Sequence, residues 1–344
     1  MALIAYLDRF SSDIAFDLLR AHPDLDTVQV RSADSPEQSF AALADAHAYQ
    51  CVGARDEVPE HLRVTEAFLA RTPNLLVASS SGSGVDVFDI AACTRAGVLV
   101  VNQAGANANA VAETVLTMMM ALRKNLSYAD RALRTGWTGT RQALYGHDLQ
   151  GRTIGIFGLG NIGRRVAEIC TLAFGCQVLA VDPYLDAETV AEKGARKVAL
   201  PEMLAQADVI TVHTPLNAET RYAFGAAEFA AMKRGAIFLN TARGFIHDEP
   251  ALAAALASGH LGGAGIDVWE QEPPSPDHPL LQLDTVMASP HIAGCTHTST
   301  ARMTEYAIAQ LADVFAGKPP SRPINPEVLP RFAERLRALG IPSA

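Results

Sequence analysis

Cysteine is scarce in this chain: five residues, Cys51, Cys93, Cys170, Cys176 and Cys295, with no Cys-x-x-Cys pair. A disulfide framework or a thiolate metal centre would show paired spacings, so reduced thiols in a cytoplasm are expected, and no metal. Long apolar runs are missing too. The most apolar helical stretch, Val111–Leu122, contains Glu113 and is too short to span a bilayer. The opening residues, MALIAYLDRF, lack a basic segment and meet an acid at Asp8, which predicts a first strand and not a signal peptide. Cations are in deficit, 28 Lys and Arg against 37 Asp and Glu, for a net charge of −9. That balance argues against nucleic acid or an anionic membrane as the main partner, while allowing a local cationic pocket for an anionic metabolite.

What is present is the composition of an ordinary globular protein, 49% apolar and 19% charged over 344 residues. This is enough chain for two domains with their own cores. Residues 1–102 alternate apolar runs (Leu3–Tyr6, Thr27–Val30, Tyr49–Gly53, Leu75–Ser79, Val98–Val101) with helical patterns near Asp13–Ala21, Pro36–Ala46, Pro59–Arg71 and Asp86–Ala96. Such alternation predicts a parallel sheet flanked by helices. After the fourth run comes SSSGSGVD, Ser79–Asp86. Its small residues suit either a backbone nest for a carboxylate or a plain flexible turn. A helix is predicted over Asn109–Arg134, long enough to bridge domains or form a subunit interface. The segment Thr135–Gln150 is irregular.

The strongest pattern is Thr153–Asp182. An apolar strand, Thr153–Phe157, runs into Gly158, Gly160 and Gly163, spaced G-x-G-x-x-G. A helical pattern, Arg164–Phe174, follows, and a second strand, Gln177–Val181, ends on Asp182. In this context the glycines predict a dinucleotide site: Gly158 for the tight turn, Gly160 for approach of a pyrophosphate, Gly163 for helix–strand packing. A bare cluster of turn glycines is the alternative reading. Asp182 stands where a carboxylate accepts from ribose hydroxyls and repels a 2′-phosphate, which favours NAD over NADP. Further strands are predicted at 196–198, 208–213, 236–240, 263–268 and 285–288. A helix is expected over Ser299–Ala316, then a Pro-rich stretch and a short amphipathic tail.

Three polar positions fall at the carboxyl ends of these later strands, where open α/β sheets hold ligands. They are Arg243 in LNTARG, the acids of IDVWEQEPP, and His291 in SPHIAG. Arginine, carboxylate and histidine converging on a dinucleotide crevice make a hydride-transfer site. The fork binds and polarises the substrate, the imidazole exchanges the hydroxyl proton, and the carboxylate holds the imidazole.

The set GLGNIG, VD, HTPLNAETR, NTARG, GIDVWEQEP and PHIAG, in this order, resembles the D-isomer-specific 2-hydroxyacid dehydrogenases, the family of phosphoglycerate, glycerate, hydroxypyruvate and D-lactate dehydrogenases. The likeness covers about residues 1–326. It implies an α/β protein of two doubly wound parallel-sheet domains. A Rossmann NAD domain (103–293, with a dimerisation helix and loop) is inserted into a flavodoxin-like substrate domain (1–102 and 294–326), with 327–344 as a tail. It also implies a homodimer and a small anionic 2-hydroxy or 2-keto acid as substrate.

By position, the resemblance implies catalytic roles for Arg243 (substrate-binding), Glu272 (partner of the histidine) and His291 (general acid/base). Cofactor contacts are implied at Gly158, Gly160, Asn161, Ile162, Gly163, Asp182, His213, Thr214, Pro215, Thr241, Ala242, Asp267, His291 and Gly294. Substrate contacts are implied at Arg55, Ser83, Gly84, Asn107 and Arg243. Arg55 matches a phosphate-contacting arginine of phosphoglycerate dehydrogenases, but Asp56 stands where those enzymes have a small hydroxyl residue, and an acid is a poor neighbour for phosphate. With 344 residues, the regulatory domain found on some phosphoglycerate dehydrogenases is not expected. Glu272 separates the chain from formate dehydrogenase, which has glutamine there. Two other readings compete: an NAD(H)-sensing, corepressor-like binding protein of the same fold, and an enzyme for a bulky or sulfonated acid.

Overall fold

The computed structural model describes residues 1–341; the end of the predicted tail, 342–344, lies outside the described residues. The chain divides into two compact units, Met1–Asn107 with Cys295 onward, and Ala108–Gly294.

The first unit runs β1 (Ala2–Leu7), α1 (Ile14–Arg20), β2 (Leu25–Val30), α2 (Pro36–Leu43), β3 (Ala48–Cys51), α3 (Glu66–Arg71), β4 (Val77–Ser80), α4 (Ile90–Ala96) and β5 (Leu99–Val101). Its strands pair in parallel in the order β2-β1-β3-β4-β5, the flavodoxin-like arrangement. One face of the sheet packs on Phe40, Leu43, Phe68 and Cys93, the other on Leu19, Ile308, Leu311 and Phe332.

The helix expected over Pro59–Arg71 is broken. Val64 donates its N–H to Val87 O (2.9 Å) and accepts from Asp89 N (2.8 Å). This small bridge turns the chain before Thr65 caps α3 by accepting from Phe68 N. Asp89 likewise caps α4 by accepting from Ala92 N (2.8 Å), so that helix starts later than Asp86. Both corrections have one cause, a side chain or bridge that competes for the first-turn amides.

The second unit begins with α5 (Ala108–Arg123) and α6 (Leu126–Arg134), and continues β6 (Thr153–Phe157), α7 (Asn161–Phe174), β7 (Gln177–Val181), α8 (Ala187–Glu192), β8 (Arg196–Lys197), α9 (Leu200–Gln206), β9 (Val209–Val212), α10 (Ala226–Ala231), β10 (Ile237–Asn240), α11 (Glu249–Ala257), β11 (Gly263–Ile266) and β12 (Val286–Ala288). The sheet order is β12-β11-β10-β9-β6-β7-β8, all parallel. The order reverses between β6 and β9, so a crevice opens at their carboxyl ends. One face is covered by α5 and α7 through Val115, Met118, Val166 and Cys170. Phe224, Phe229, Leu252 and Trp269 pack on the other.

The single long helix expected over Asn109–Arg134 is two helices. Asn125 adopts a left-handed conformation (φ 57°) between them, and its Nδ2 donates to Leu144 O (3.3 Å). Asparagine tolerates that conformation better than other side chains. The methionines of α5 are core of the second unit: Met118 and Met119 are buried.

After the second unit the chain forms α12 (His297–Phe315) and α13 (Leu329–Ala338), both in the first unit. The tail set apart at 327–344 therefore docks as far as it is described. A helix of ten residues is marginal alone. Burial of Phe332 and Leu336, at about 1.5–3 kcal/mol per side chain, holds it in place. Arg335 adds bonds to Ala96 O (3.1 Å) and Gly97 O (3.3 Å) at the end of α4.

Candidate active site

Two groups of residues gather at the carboxyl edge of the second unit's sheet. The first surrounds the turn after β6. Gly158 has φ 96°, and a Cβ there would meet Thr214 Cγ2 at 2.6 Å. At Gly163 a Cβ would meet Gly158 O at 2.2 Å, so α7 approaches the turn as closely as backbone permits. Gly160, the N-cap of α7, faces open space, and no side chain caps the helix. Its first N–H groups and positive dipole end thus point where a pyrophosphate can approach, with Asn161, Ile162 and Gly163 forming the first turn. Asp182, at the end of β7, accepts from Leu159 N (2.9 Å) and Tyr184 N (3.0 Å), one bond per oxygen. The carboxylate is thereby fixed against the glycine turn with a lone pair left on each oxygen.

Across the switch point, β9 delivers His213, Thr214 and Pro215, and β10 delivers Thr241 and Ala242. His213 Nδ1, Thr214 Oγ1 and Thr241 Oγ1 are shut away from solvent without a hydrogen-bond partner. Orphaned polar atoms of this kind cost about 1–3 kcal/mol each unless something satisfies them. Three of them beside an open glycine turn fit a dinucleotide that brings its own donors and acceptors. His213 Nε2 pairs with Thr211 Oγ1 (3.0 Å), and burial pushes the imidazole down to about 3. The ring is neutral at pH 7, so it offers hydrogen bonds without adding charge.

The second group combines three loops. After β10, the buried Asn240 donates to Arg243 O (2.8 Å) and accepts from Ala242 N (2.9 Å), which shapes the turn bearing the half-buried Arg243. Gly244 seats this turn against the next loop: a Cβ there would meet the Trp269 carbonyl at 2.1 Å. In that next loop Glu272 accepts from Trp269 N at Oε1 (3.0 Å) and pairs with His291 Nδ1 at Oε2 (2.8 Å).

The third loop is tied down by Asp267, 1% exposed. Its carbonyl accepts from His291 N (2.7 Å), Oδ1 accepts from Ser289 Oγ (2.6 Å) and Ile292 N (2.8 Å), and Oδ2 accepts from Ala293 N (2.9 Å). Gly294 follows at once.

Electrostatics agree with the geometry. The bond to Glu272 raises the His291 pKa, against the opposing effects of burial and of the Arg243 charge. Burial alone would raise Glu272, but the bonds from His291 and Trp269 N outweigh it and hold the carboxyl below its ordinary value. Arg243 is near enough to act on both. Glu272 and His291 are thus bonded to each other, with Arg243 within electrostatic reach of both.

The residues expected to contact substrate from the first unit also cluster. Ser83 Oγ donates to Asn107 Oδ1 (3.3 Å), Asn102 Nδ2 donates to Ser83 O (2.8 Å), and Ser80 Oγ donates to Gly84 O (2.6 Å). Arg55 is exposed and donates through Nε to Asp86 O (2.9 Å).

One supporting pair escapes sequence reasoning. Glu249, 6% exposed, accepts from Glu270 N (2.8 Å) and pairs with His278 Nε2 (3.0 Å). It suspends the loop that carries Glu272. Its members lie 29 residues apart with no motif between them; only an acid opening a helix marks Glu249. Among the described residues no group of three or more His, Cys, Asp or Glu could hold a metal ion.

Comparison with known proteins accords with this geometry. The family model "D-isomer specific 2-hydroxyacid dehydrogenase, NAD binding domain" matches residues 116–293. D-3-phosphoglycerate dehydrogenase of Archaeoglobus fulgidus is 36% identical over 299 residues, 87% of this chain but only 55% of that one. (S)-sulfolactate dehydrogenase of Chromohalobacter salexigens is 40% identical over 249 residues, 72% of this chain and 80% of its own. The chain superposes on D-lactate dehydrogenase from Aquifex aeolicus, solved with NAD and lactic acid, with a TM-score of 0.77 at 26% identity, covering 97% and 98% of the two chains. A seven-stranded Rossmann sheet that presents a glycine turn with Asp182, and Arg243, Glu272 and His291 on successive loops, belongs with this sequence similarity to one group: the chain is a member of the D-isomer specific 2-hydroxyacid dehydrogenases, with NAD as its cofactor.

Proposed function

We propose that the protein is an NAD-dependent oxidoreductase that moves a hydride between nicotinamide and C2 of a small D-2-hydroxy acid or 2-keto acid. The observation that carries the reading is the 2.8 Å bond from His291 Nδ1 to Glu272 Oε2. It commits Nδ1 to the carboxylate, and Nε2 is assigned as the proton carrier. NADH, when bound, would supply the hydride for C2 of the keto acid. His291 gives its Nε2 proton to the developing alkoxide, Glu272 stabilises the imidazolium before that transfer, and Arg243 binds the substrate carboxylate or carbonyl with its planar fork. In the oxidative direction the neutral imidazole takes the hydroxyl proton.

Glycine-turn residues 158–163, Asp182, His213–Pro215, Thr241, Ala242, Asp267 and Gly294 are proposed to hold the cofactor. Ser83, Gly84, Asn107 and Arg55 are proposed to contact the substrate. A homodimer is part of the same reading: α6 and the segment after it expose Leu126, Leu133 and Tyr145, 59–72% accessible, which are costly to leave in water. A cytoplasmic location accords with the burial of Cys51, Cys93, Cys170 and Cys176, which sit in the cores as thiols.

The deciding experiment follows loss of NADH absorbance with glyoxylate, hydroxypyruvate, pyruvate, sulfopyruvate and 3-phosphohydroxypyruvate. Saturable turnover of at least one is expected, with 3-phosphohydroxypyruvate disfavoured by Asp56. No turnover of any of them, with NADH bound, would refute the catalytic reading.

A further inference from the structure

At the amino ends of β6, β9 and β10, the opposite end of the sheet from the groups above, lies a cavity of about 160 Å³ lined by Arg123, His147, Arg152, Asp208, Lys233 and Arg234. At roughly 30 Å³ per water molecule it has the room of about five waters, enough for a tetrahedral oxyanion. Its charges do not cancel. Asp208 is already spent, accepting from Thr153 N (2.9 Å) and from Lys233 Nζ (2.5 Å). Asp148, nearby, is paired with Lys124. Among the described residues Arg123, Arg152 and Arg234 make no ion pair, although Asp208 and Asp148 act on Arg123 from nearby. Cationic charge is thus left in excess in a chain whose net charge is −9.

Arg123 is the telling member. It ends α5 and is only 8% exposed, yet it has no ion pair. Nη2 donates to Asp148 O (3.1 Å), and Nε is buried with no partner at all. Burial and the neighbouring Arg152 both press against its charge. A guanidinium does not relieve that pressure by losing a proton; an anion beside it would. Arg152 donates through Nε to the same Asp148 carbonyl (3.3 Å), which sets two planar forks side by side.

We propose that this cavity binds a phosphate-class oxyanion, either inorganic phosphate or the phosphate of a small phosphomonoester. Adjacent guanidinium forks match tetrahedral oxyanions in geometry as well as charge. The proposal is independent of the catalytic reading, since none of these side chains takes part in it.

The test is isothermal titration of inorganic phosphate and of glycerol phosphate into full-length protein with NADH in excess, which occupies the glycine turn. Sodium chloride at matched ionic strength is the control. Saturable binding of one or both is expected, and the stronger of the two identifies the source. The Arg152→Ala/Arg234→Ala variant, changed only at exposed positions, should bind at least tenfold more weakly while its NADH affinity is unchanged. Arg123→Met should also lose binding, but it risks the fold, so the exposed pair carries the decision. Absence of saturable heat beyond the chloride control, or equal binding by wild type and the double variant, would overturn the proposal.

Discussion

His291 has φ 56°, a left-handed conformation that costs a non-glycine residue of order 1–3 kcal/mol. It persists because Asp267 holds the amides of His291, Ile292 and Ala293 with its carbonyl and both carboxylate oxygens. The proposed proton donor is therefore held in one orientation. Replacing His291 with Ala is expected to lower kcat for reduction by about 10²–10⁴-fold, the usual worth of general acid catalysis. NADH affinity, read by fluorescence titration, should be nearly unchanged. Glu272→Gln tests the pairing by pH. Glu272 raises the histidine's pKa, so on the proposed mechanism reduction should hold at low pH and fail as pH rises through that pKa. Without the carboxylate the alkaline limb of the rate profile should move to lower pH. A limb that stays in place would separate Glu272 from the titration. Asp182, anchored by Leu159 N and Tyr184 N, is proposed to serve the cofactor instead. Asp182→Ala should weaken NAD more than NADP and narrow the preference, as measured by the two dissociation constants; equal losses would remove Asp182 from the ribose.

At the scale of elements, the junction of β6, the glycine turn and α7 has the least tolerance. A Cβ on Gly163 would lie 2.2 Å from Gly158 O, and backbone cannot yield as a side chain can. Gly163→Ala should destabilise the protein by about 1–3 kcal/mol, the range of overpacked sites. A thermal melt should show this as a lowered Tm, accompanied by weaker NAD binding. An unchanged Tm would mean that α7 can slide away from the turn. The loop between β11 and β12 is built in another way. Trp269 N and Glu249 hold it from two sides, and Trp269 Nε1 donates to Ser289 O (3.0 Å), tying it to the His291 loop. The candidate catalytic pair is thus carried on two loops that restrain each other.

For the whole molecule, the two units repeat one architecture, a parallel sheet with helices on both faces, with different strand orders. The G-x-G-x-x-G turn, Gly158 to Gly163, lies at the switch point of the second. If α6 and the following segment form a twofold interface, light scattering at micromolar concentration should give twice the chain mass of 36.6 kDa. A fully active monomer would exclude this assembly. Among the described residues no helix is long and apolar enough to cross a membrane.

What the amino-acid sequence determined by itself is local in origin. Buried parallel strands such as Thr153–Phe157 and Gln177–Val181 are continuous apolar runs, and the G-x-G-x-x-G spacing with Asp182 is a property of one βαβ unit. The placement of Arg243, Glu272 and His291 at strand ends followed from the same pattern, and their roles from family resemblance. The breaks at Val64 and Asn125 were not legible, because one depends on a bridge to Val87 and Asp89 and the other on a tolerated left-handed turn. Nor could spacing show that Asp267 ties down the His291 loop, that Glu249 and His278 clamp the loop of Glu272, or that Arg123, Arg152 and Arg234 share a cavity. Those contacts join residues from separate crossovers of the sheet. No periodicity along the chain encodes such meetings; they exist only once the sheet has set its strand order.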